Sequence, residues 1–244
     1  MRPTLKIAHG SDIHLDTDYF GGGDNLAQRD QYRGVFLRLL ERIQAERPHL
    51  MLLPGDLFDS NRASADTITW AMERLGALPF PVILIPGNHD CMEPGGIYQR
   101  HDFNRVPNLR LLSAAGGETA DLPELAARAW GKGMVEHTPD YSPLANLPAP
   151  APGRWNLGLG HGIYVGRESG SYRSSPVQAK QIEASSYDYI ALGHHHALLD
   201  VSGKGTTAFY SGAPVPISRS SAGTFLTITL QEGQPAQVQV HKLP

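Results

Sequence analysis

Cysteine is nearly absent from this 244-residue chain. Cys91 stands alone, so no intrachain disulfide can form, a usage that fits a reducing compartment. Long hydrophobic runs are missing as well. Apolar stretches such as Leu50-Met51-Leu52-Leu53 last only a few residues, far short of the roughly 20 that a membrane span requires. The opening MRPTLKIAHG has no apolar h-region and no small-residue cleavage site, so no secretory signal is read there. Nor is there an excess of positive charge: 21 Lys+Arg against 24 Asp+Glu give a net charge of −3. That excludes a strongly basic nucleic-acid coat, while leaving room for a local basic groove. Domain-scale repeats, charge blocks and low-complexity tails are lacking too. These absences point to a cytoplasmic protein that meets no membrane.

What is present suffices for a globular fold. Hydrophobic residues make up 41% of the chain, too many for a disordered one. The length fits one domain over 1–244 that buries roughly 70–75% of its unfolded surface without disulfide staples. Leu5–Ala8 reads as a strand, and residues from about Gln28 to Arg47 as a helix. Val35, Phe36, Leu39, Leu40 and Ile43 recur there at helical spacing, and Pro48 ends the pattern. Leu50–Leu53 reads as a buried strand, Ser64–Leu78 as a helix with Ile68, Met72 and Leu75 on one face, and Val82–Ile85 as another strand. This alternation argues for α/β layering with a substantially parallel sheet. The middle of the chain is less regular, and Pro139, Pro143, Pro148, Pro150 and Pro152 mark a loop. Trp155–Leu159 and Tyr189–Leu192 read as further strands. So do Ala208–Tyr210, Thr224–Leu230 and Val238–Val240, with a hairpin among them. Gly21-Gly22-Gly23 and the polar stretch Gly166–Pro176 read as loops.

Histidine is the one abundant chemical resource, with 11 residues, and its placement is informative. Four times an apolar run ends in a glycine followed by a metal-competent residue: Leu52-Leu53-Pro54-Gly55-Asp56, Leu84-Ile85-Pro86-Gly87-Asn88, Leu157-Gly158-Leu159-Gly160-His161 and Ile190-Ala191-Leu192-Gly193-His194. A buried strand ends, glycine permits a sharp turn, and a polar side chain is offered at the carboxyl edge of the sheet, where open α/β sheets bind ligands. Glycine there also lets a metal or phosphate approach the backbone. A fifth strand end carries Ser11-Asp12-Ile13-His14. Asp12 and His14, like His194 and His196, are two apart, and on extended backbone they point to one side. The set Asp12, His14, Asp56, Asn88, His161, His194 and His196 mixes imidazole, carboxylate and amide donors. It suits Mn, Fe, Zn or Co, and neither a thiolate site nor an all-oxygen calcium cage. Seven ligands are too many for one ion and right for two that share a carboxylate and clamp a phosphoryl group.

At these residues the chain resembles the calcineurin-like metallophosphoesterase superfamily. The family's D-x-H, G-D-x-x-D, G-N-H-[DE], strand-end histidine and G-H-x-H motifs appear in order. They stand here as Asp12-Ile13-His14, Gly55-Asp56-Leu57-Phe58-Asp59, Gly87-Asn88-His89-Asp90, Gly160-His161 and Gly193-His194-His195-His196, and the likeness covers about residues 5–230. The resemblance implies a four-layer α/β/β/α sandwich of two mixed sheets, with the site at their carboxyl edge. It implies that Asp12, His14 and His196 hold one divalent ion, that Asn88, His161 and His194 hold a second, and that Asp56 bridges them. A hydroxide between the ions is then the expected nucleophile. His89 is expected to protonate the leaving oxygen or stabilise the transferring phosphoryl group, with Asp90 orienting its ring. Within the superfamily, Ser11-Asp12-Ile13-His14-Leu15, Gly55-Asp56-Leu57-Phe58-Asp59 and Tyr210-Ser211-Gly212-Ala213-Pro214 are similar to the catalytic core, without the capping domain, of the exonuclease subunit of the double-strand-break-repair ATPase–nuclease complex. That likeness implies Mn as the metal, a phosphodiester substrate such as DNA or a nucleotide, and an ATPase partner.

The remaining polar residues carry quieter expectations. His195, between two expected ligands, should point away from them. Asp59 should fix the loop after Asp56 by hydrogen bonding. Cys91 reads as a buried thiol and His9 as a core or supporting residue. His49, His101, His137 and His241 have no partner pattern and are expected in solvent. Arg167 and Arg173 suit phosphate recognition but read first as solvated loop residues, and Tyr98, Tyr164 and Tyr172 read as packed rather than as base-stacking. Three functions are thus in view: a two-metal phosphodiesterase or DNA exonuclease-like hydrolase, a phosphomonoesterase or cyclic-nucleotide phosphodiesterase for small molecules, and a non-catalytic module that kept the fold.

Overall fold

The computed structural model describes residues 1–17, 26–166, 174–215 and 223–243. The Gly21-Gly22-Gly23 loop and Arg167, Tyr172 and Arg173 lie outside them. The chain begins with β1 (Leu5–His9), α1 (Leu26–Ala45), β2 (Leu50–Pro54), α2 (Ala65–Gly76) and β3 (Val82–Ile85). Arg47 adopts a left-handed conformation just before Pro48, and together they stop α1. Ser64 caps α2 by accepting from the Thr67 amide at 3.3 Å, as an N-cap serine should. The short α3 (Ile97–Arg100) leads to β4 (Leu109–Leu111), β5 (Glu118–Leu122) and β6 (Ala127–Gly131). Then come β7 (Trp155–His161), β8 (Ile163–Val165), β9 (Pro176–Gln178), α4 (Ala179–Ser185) and β10 (Tyr189–Gly193). The chain closes with β11 (Leu199–Asp200), β12 (Thr207–Tyr210), β13 (Gly223–Leu230) and β14 (Gln237–Leu243).

Two six-stranded mixed sheets result. The first runs β14-β13-β1-β2-β3-β4 and the second β11-β12-β10-β7-β6-β5, with β8 and β9 pairing apart. In the first, β1 to β4 are parallel, while β13 runs antiparallel to β1 and forms the expected hairpin with β14. In the second, β12, β10, β7 and β6 are parallel and the edges β11 and β5 antiparallel. The antiparallel flanks narrow the expectation of a largely parallel sheet to four parallel strands in each.

Three hydrophobic clusters define the layers. Strand residues alternate between faces. On the first sheet Ala8, Met51, Leu53, Val82 and Leu84 meet Phe36, Leu39, Ile43, Ile68 and Leu75 of α1 and α2. Leu5, Ile7, Leu50, Leu52, Ile83 and Ile85 face the other way, against Ala129, Trp155, Leu157, Leu159, Tyr189 and Ala191 of the second sheet. Ile190 and Leu192 turn outward to Val177, Ile182 of α4 and Tyr187. Both faces of β2 and β3 are therefore dry, which is why their sequences are unbroken apolar runs. Helix, sheet, sheet and helix form the expected four-layer order. Among the described residues no helix is long and apolar enough to cross a membrane.

The sandwich brings five parallel strand ends to one edge. β1, β2 and β3 are neighbours in one sheet, β7 and β10 in the other, and their last residues meet across the interface. The loop after β1 runs along the loop after β2: the Ile13 and His14 amides donate to the Asp56 carbonyl at 2.8 and 3.1 Å, and the Leu15 amide to that of Leu57 at 3.0 Å.

Candidate metal centre

All seven residues expected as ligands converge at that edge, in two groups. In the first, the Nε2 atoms of His14 and His196 stand 3.2 Å apart, and Asp12 Oδ1 lies 3.5 Å from His196 Nε2. In the second, Asn88 Oδ1 lies 3.0 Å from His161 Nε2 and 2.8 Å from His194 Nδ1. Asp56 stands between them, its Oδ2 at 3.2 Å from His161 Nε2 and 3.8 Å from His14 Nε2. Ligand-type atoms of Asp12, His14 and His196, of Asp12, Asp56 and His161, and of His14, Asp56 and His89 each fall within 4.8 Å of one another. Two imidazole Nε2 atoms face to face beside buried carboxylates form a donor set for a borderline divalent cation. The ring atoms turned away are tied down, as ligating histidines require: His14 Nδ1 binds Asp59 Oδ1 at 2.9 Å, and His161 Nδ1 donates to the Pro54 carbonyl at 2.8 Å. The residues present therefore fit a pair of cations.

The backbone accepts strain to achieve this. Asp12, His14, Asp56 and His194 all have positive φ, between 52° and 96°, where non-glycine residues seldom sit. This corrects the reading of Asp12 and His14, and of His194 and His196, as pairs on extended backbone. His194 in fact turns to Asn88 and His161, while His196 turns to Asp12 and His14, so the pair divides between the two groups. The motif glycines do more than turn the chain. A Cβ on Gly55, itself at φ +91°, would collide with the His161 ring, and one on Gly87 would collide with the Asp56 carboxylate. These glycines admit the neighbouring ligand's side chain.

Electrostatics within the groups are strongly perturbed. Burial opposes ionisation of Asp56, but His161, His14 and His89 outweigh it and hold the carboxyl well below the usual range. Burial likewise opposes charge on His161, yet Asp56 and Asp12 raise its pKa to about 9. His194, desolvated and next to His161, falls to about 3.

His89 lies beside the first group, its ring 4.6 Å from that of His14 and perpendicular to it. Its Nδ1 donates to the Asp59 carbonyl at 2.7 Å. Asp90 does not orient this ring, contrary to the sequence expectation. Asp90 Oδ1 accepts from the Gly87 amide, and Oδ2 from the Leu57 and Phe58 amides and the Tyr98 hydroxyl, at 2.7–3.2 Å. The physical reason is directional: adjacent residues at a turn point apart, and the buried Asp90 carboxylate satisfies amides that would otherwise be unpaired. Asp59 does the orienting from across the site.

Other residues settle as follows. His195 packs on Tyr210, away from both groups. Cys91 is half-buried rather than fully so, with the Asn61 amide at 3.8 Å from its sulfur. His9 is wholly buried and bonds Tyr189 Oη at 2.7 Å. Tyr98 is buried and Tyr164 packs on the outer cluster. His49 is exposed, and His101 half-exposed. His241 is buried instead of solvated, stacked on Phe225 and bonded to Thr227. The Tyr210–Pro214 motif braces the site: Ser211 Oγ meets Ser11 Oγ at 3.1 Å, Ser11 in turn donates to Asp12, and the Ala213 amide donates to the His196 carbonyl at 3.0 Å. Sequence reasoning missed His137. It is exposed, yet its ring lies 5.2 Å from that of His194. No spacing signal could have found it.

The family model of calcineurin-like phosphoesterases matches residues 5–198. Among solved structures, TT1561 of Thermus thermophilus superposes with a TM-score of 0.62 at 10% identity, covering 98% of this chain and 99% of that one, a likeness of fold. A conserved Streptococcus pneumoniae protein described as a predicted phosphoesterase gives 0.46 at 9% identity, covering 99% of this chain and 91% of that one.

Proposed function

The chain belongs to the calcineurin-like phosphoesterases, and from that premise we propose that it is a two-metal phosphodiesterase, nuclease-like in its motifs, with one catalytic domain over 1–244. The observation that carries the reading is the convergence of seven donor side chains from five strand ends into two groups that share Asp56. Asp12, His14 and His196 would hold one cation, Asn88, His161 and His194 the other. When bound, such a pair supplies Lewis-acid stabilisation of a phosphoryl group and a water acidic enough to attack it near neutral pH. Mn is our choice among Mn, Fe, Zn and Co, on the strength of the nuclease-like motifs.

The chain's own residues do the rest. Asp59 fixes two imidazoles at once, His14 through its carboxylate and His89 through its carbonyl. With Nδ1 of His89 committed, Nε2 is the atom left to give a proton to the leaving oxygen. The His89 side chain is 41% exposed, so an ester oxygen can reach it.

A second reading, a hydrolase for small phosphomonoesters or cyclic nucleotides, is favoured by the net charge of −3, because tracking a DNA backbone draws on many Lys and Arg contacts. One experiment separates them. The Mn-loaded protein is assayed on a chromogenic phosphodiester and on its monoester, with His89→Asn as the contamination control. Diester preference supports the first reading or the cyclic-nucleotide branch of the second, which labelled single- and double-stranded DNA then separates, and monoester preference supports the phosphomonoesterase branch. Turnover that His89→Asn leaves intact on both sinks the assignment of His89.

A further inference from the structure

His89 flanks the first group of donors, and His137 flanks the second. The two rings make parallel approaches: His89 stands 4.6 Å from His14, and His137 stands 5.2 Å from His194. Both are exposed, while the donors they touch are buried or half-buried. His137 meets His194 ring to ring from the solvent side. Its place is therefore beside the donor set and facing solvent, where a substrate must arrive.

The segment that carries it is held in place. Between β6 and β7, the Met134 carbonyl accepts from the Met92 amide at 2.7 Å, which ties the segment to the loop of Asn88 and His89. One residue past His137, the Thr138 carbonyl accepts from the amides of Ser175 at 2.8 Å and Tyr141 at 3.2 Å. The Ser175 carbonyl then accepts from Ile163, two residues after His161. Tyr141 Oη donates to the Lys132 carbonyl at 3.0 Å. An exposed imidazole held by the Ser174 backbone, on a segment stitched to both ligand-bearing loops, has a fixed position and still faces solvent. That combination is what a substrate contact needs.

We propose that His137 is a substrate-contacting residue, donating a hydrogen bond to a phosphoryl oxygen on the His194 side of the site. The inference rests on the phosphoesterase reading and adds to it a determinant of substrate binding. A phosphodiester keeps one ester link and its non-bridging oxygens after the other link breaks. If His89 serves the leaving oxygen, the retained anionic group needs a separate donor, and His137 supplies it.

The test uses His137→Ala and His137→Gln in the Mn-loaded protein, with metal content, binding of inorganic phosphate by calorimetry, and kcat and KM on the chromogenic diester. Expected are unchanged metal content in both variants and phosphate binding about tenfold or more weaker in His137→Ala, as for a lost hydrogen bond to a charged group. His137→Gln, which keeps an N–H donor, recovers most of that loss, and kcat/KM falls in step. Equal phosphate affinity in His137→Ala overturns the proposal. So does loss of metal, which would make His137 a ligand. Phosphate binding that depends on His137 in a protein that hydrolyses no ester keeps the inference and removes the phosphoesterase reading. Hydrolysis with phosphate binding indifferent to His137 does the reverse, and a wild-type protein that binds no phosphate overturns both.

Discussion

The group around His14 and the group around His161 are built on one plan, two imidazoles and one oxygen donor, yet they differ in charge and in what anchors them. Asp12 lies within the first group and Asp59 binds His14 from behind it, so anions surround its imidazoles. The second has neutral Asn88 in the corresponding place, and the carbonyl of Pro54 behind His161. Its carboxylate neighbours are Asp56 and Asp12, both of which it shares with the first group. Exposure does not separate them: each pairs a buried imidazole, His14 or His161, with a half-buried one, His196 or His194. A cation entering the first group meets more negative charge, because Asp59 backs His14. One entering the second depends on Asp56 and on displacing a proton from a buried ring. Two sites of similar donor count therefore need not bind equally.

The largest expected effect erases the difference. Asp56→Ala removes the residue both groups share, and should cost at least about 10³ in turnover, with metal lost from both groups. Elemental analysis beside the assay checks this, and two retained ions would refute the shared role. Next, Asn88→Ala should strike one side only: the metal content falls from two ions towards one, and turnover drops about 10²-fold or more. Calorimetric titration of the wild type should then show unequal affinities, with the variant retaining the tighter step.

Asp59→Ala probes the other side. Removing the partner of His14 Nδ1 should weaken metal binding in the first group by about 10–100-fold, the usual cost of losing such a support, while the second group's step is unmoved. The smallest effect concerns pH. His161 in the folded protein has its pKa raised to about 9 from 6.5. In metal-stripped protein it thus contributes stability that is complete below pH 6.5 and lost as pH rises through 9. His194, lowered to about 3, acts in the opposite window, losing stability as pH falls below 6.5. Between pH 6.5 and 9 the Tm of the stripped protein should fall, and saturating metal should remove the fall, because binding takes the proton's place. A flat profile in the stripped protein would remove the charge on His161 from the account.

Legibility in the sequence follows the same divide between local and non-local causes. β1, α1, β2, α2 and β3 could be read because each buries a whole face, so its apolar period is complete. β4, β5 and β6 went unread, since β4 spans three residues and β5 is a partly exposed edge strand with the polar sequence ETADL. The turn glycines and four of the donors, Asp56, Asn88, His161 and His194, were legible because a strand end, a glycine and a polar residue are contiguous in the chain, and Asp12, His14 and His196 because they fall in two-apart pairs at such ends. Asp90 was misread through that same contiguity, for its nearness to His89 in sequence says nothing of where its carboxylate points.

The sequence by itself determined which side chains stand at the strand ends and which donor chemistry they offer, because strand, turn and donor are covalently consecutive. Only the tertiary structure decided that Asp59 rather than Asp90 steers His89 and that His137 reaches the edge of the site. Each of those outcomes is a meeting of segments far apart in the chain, set by how two sheets stack and which loop amides find carbonyls there, and no local pattern encodes it.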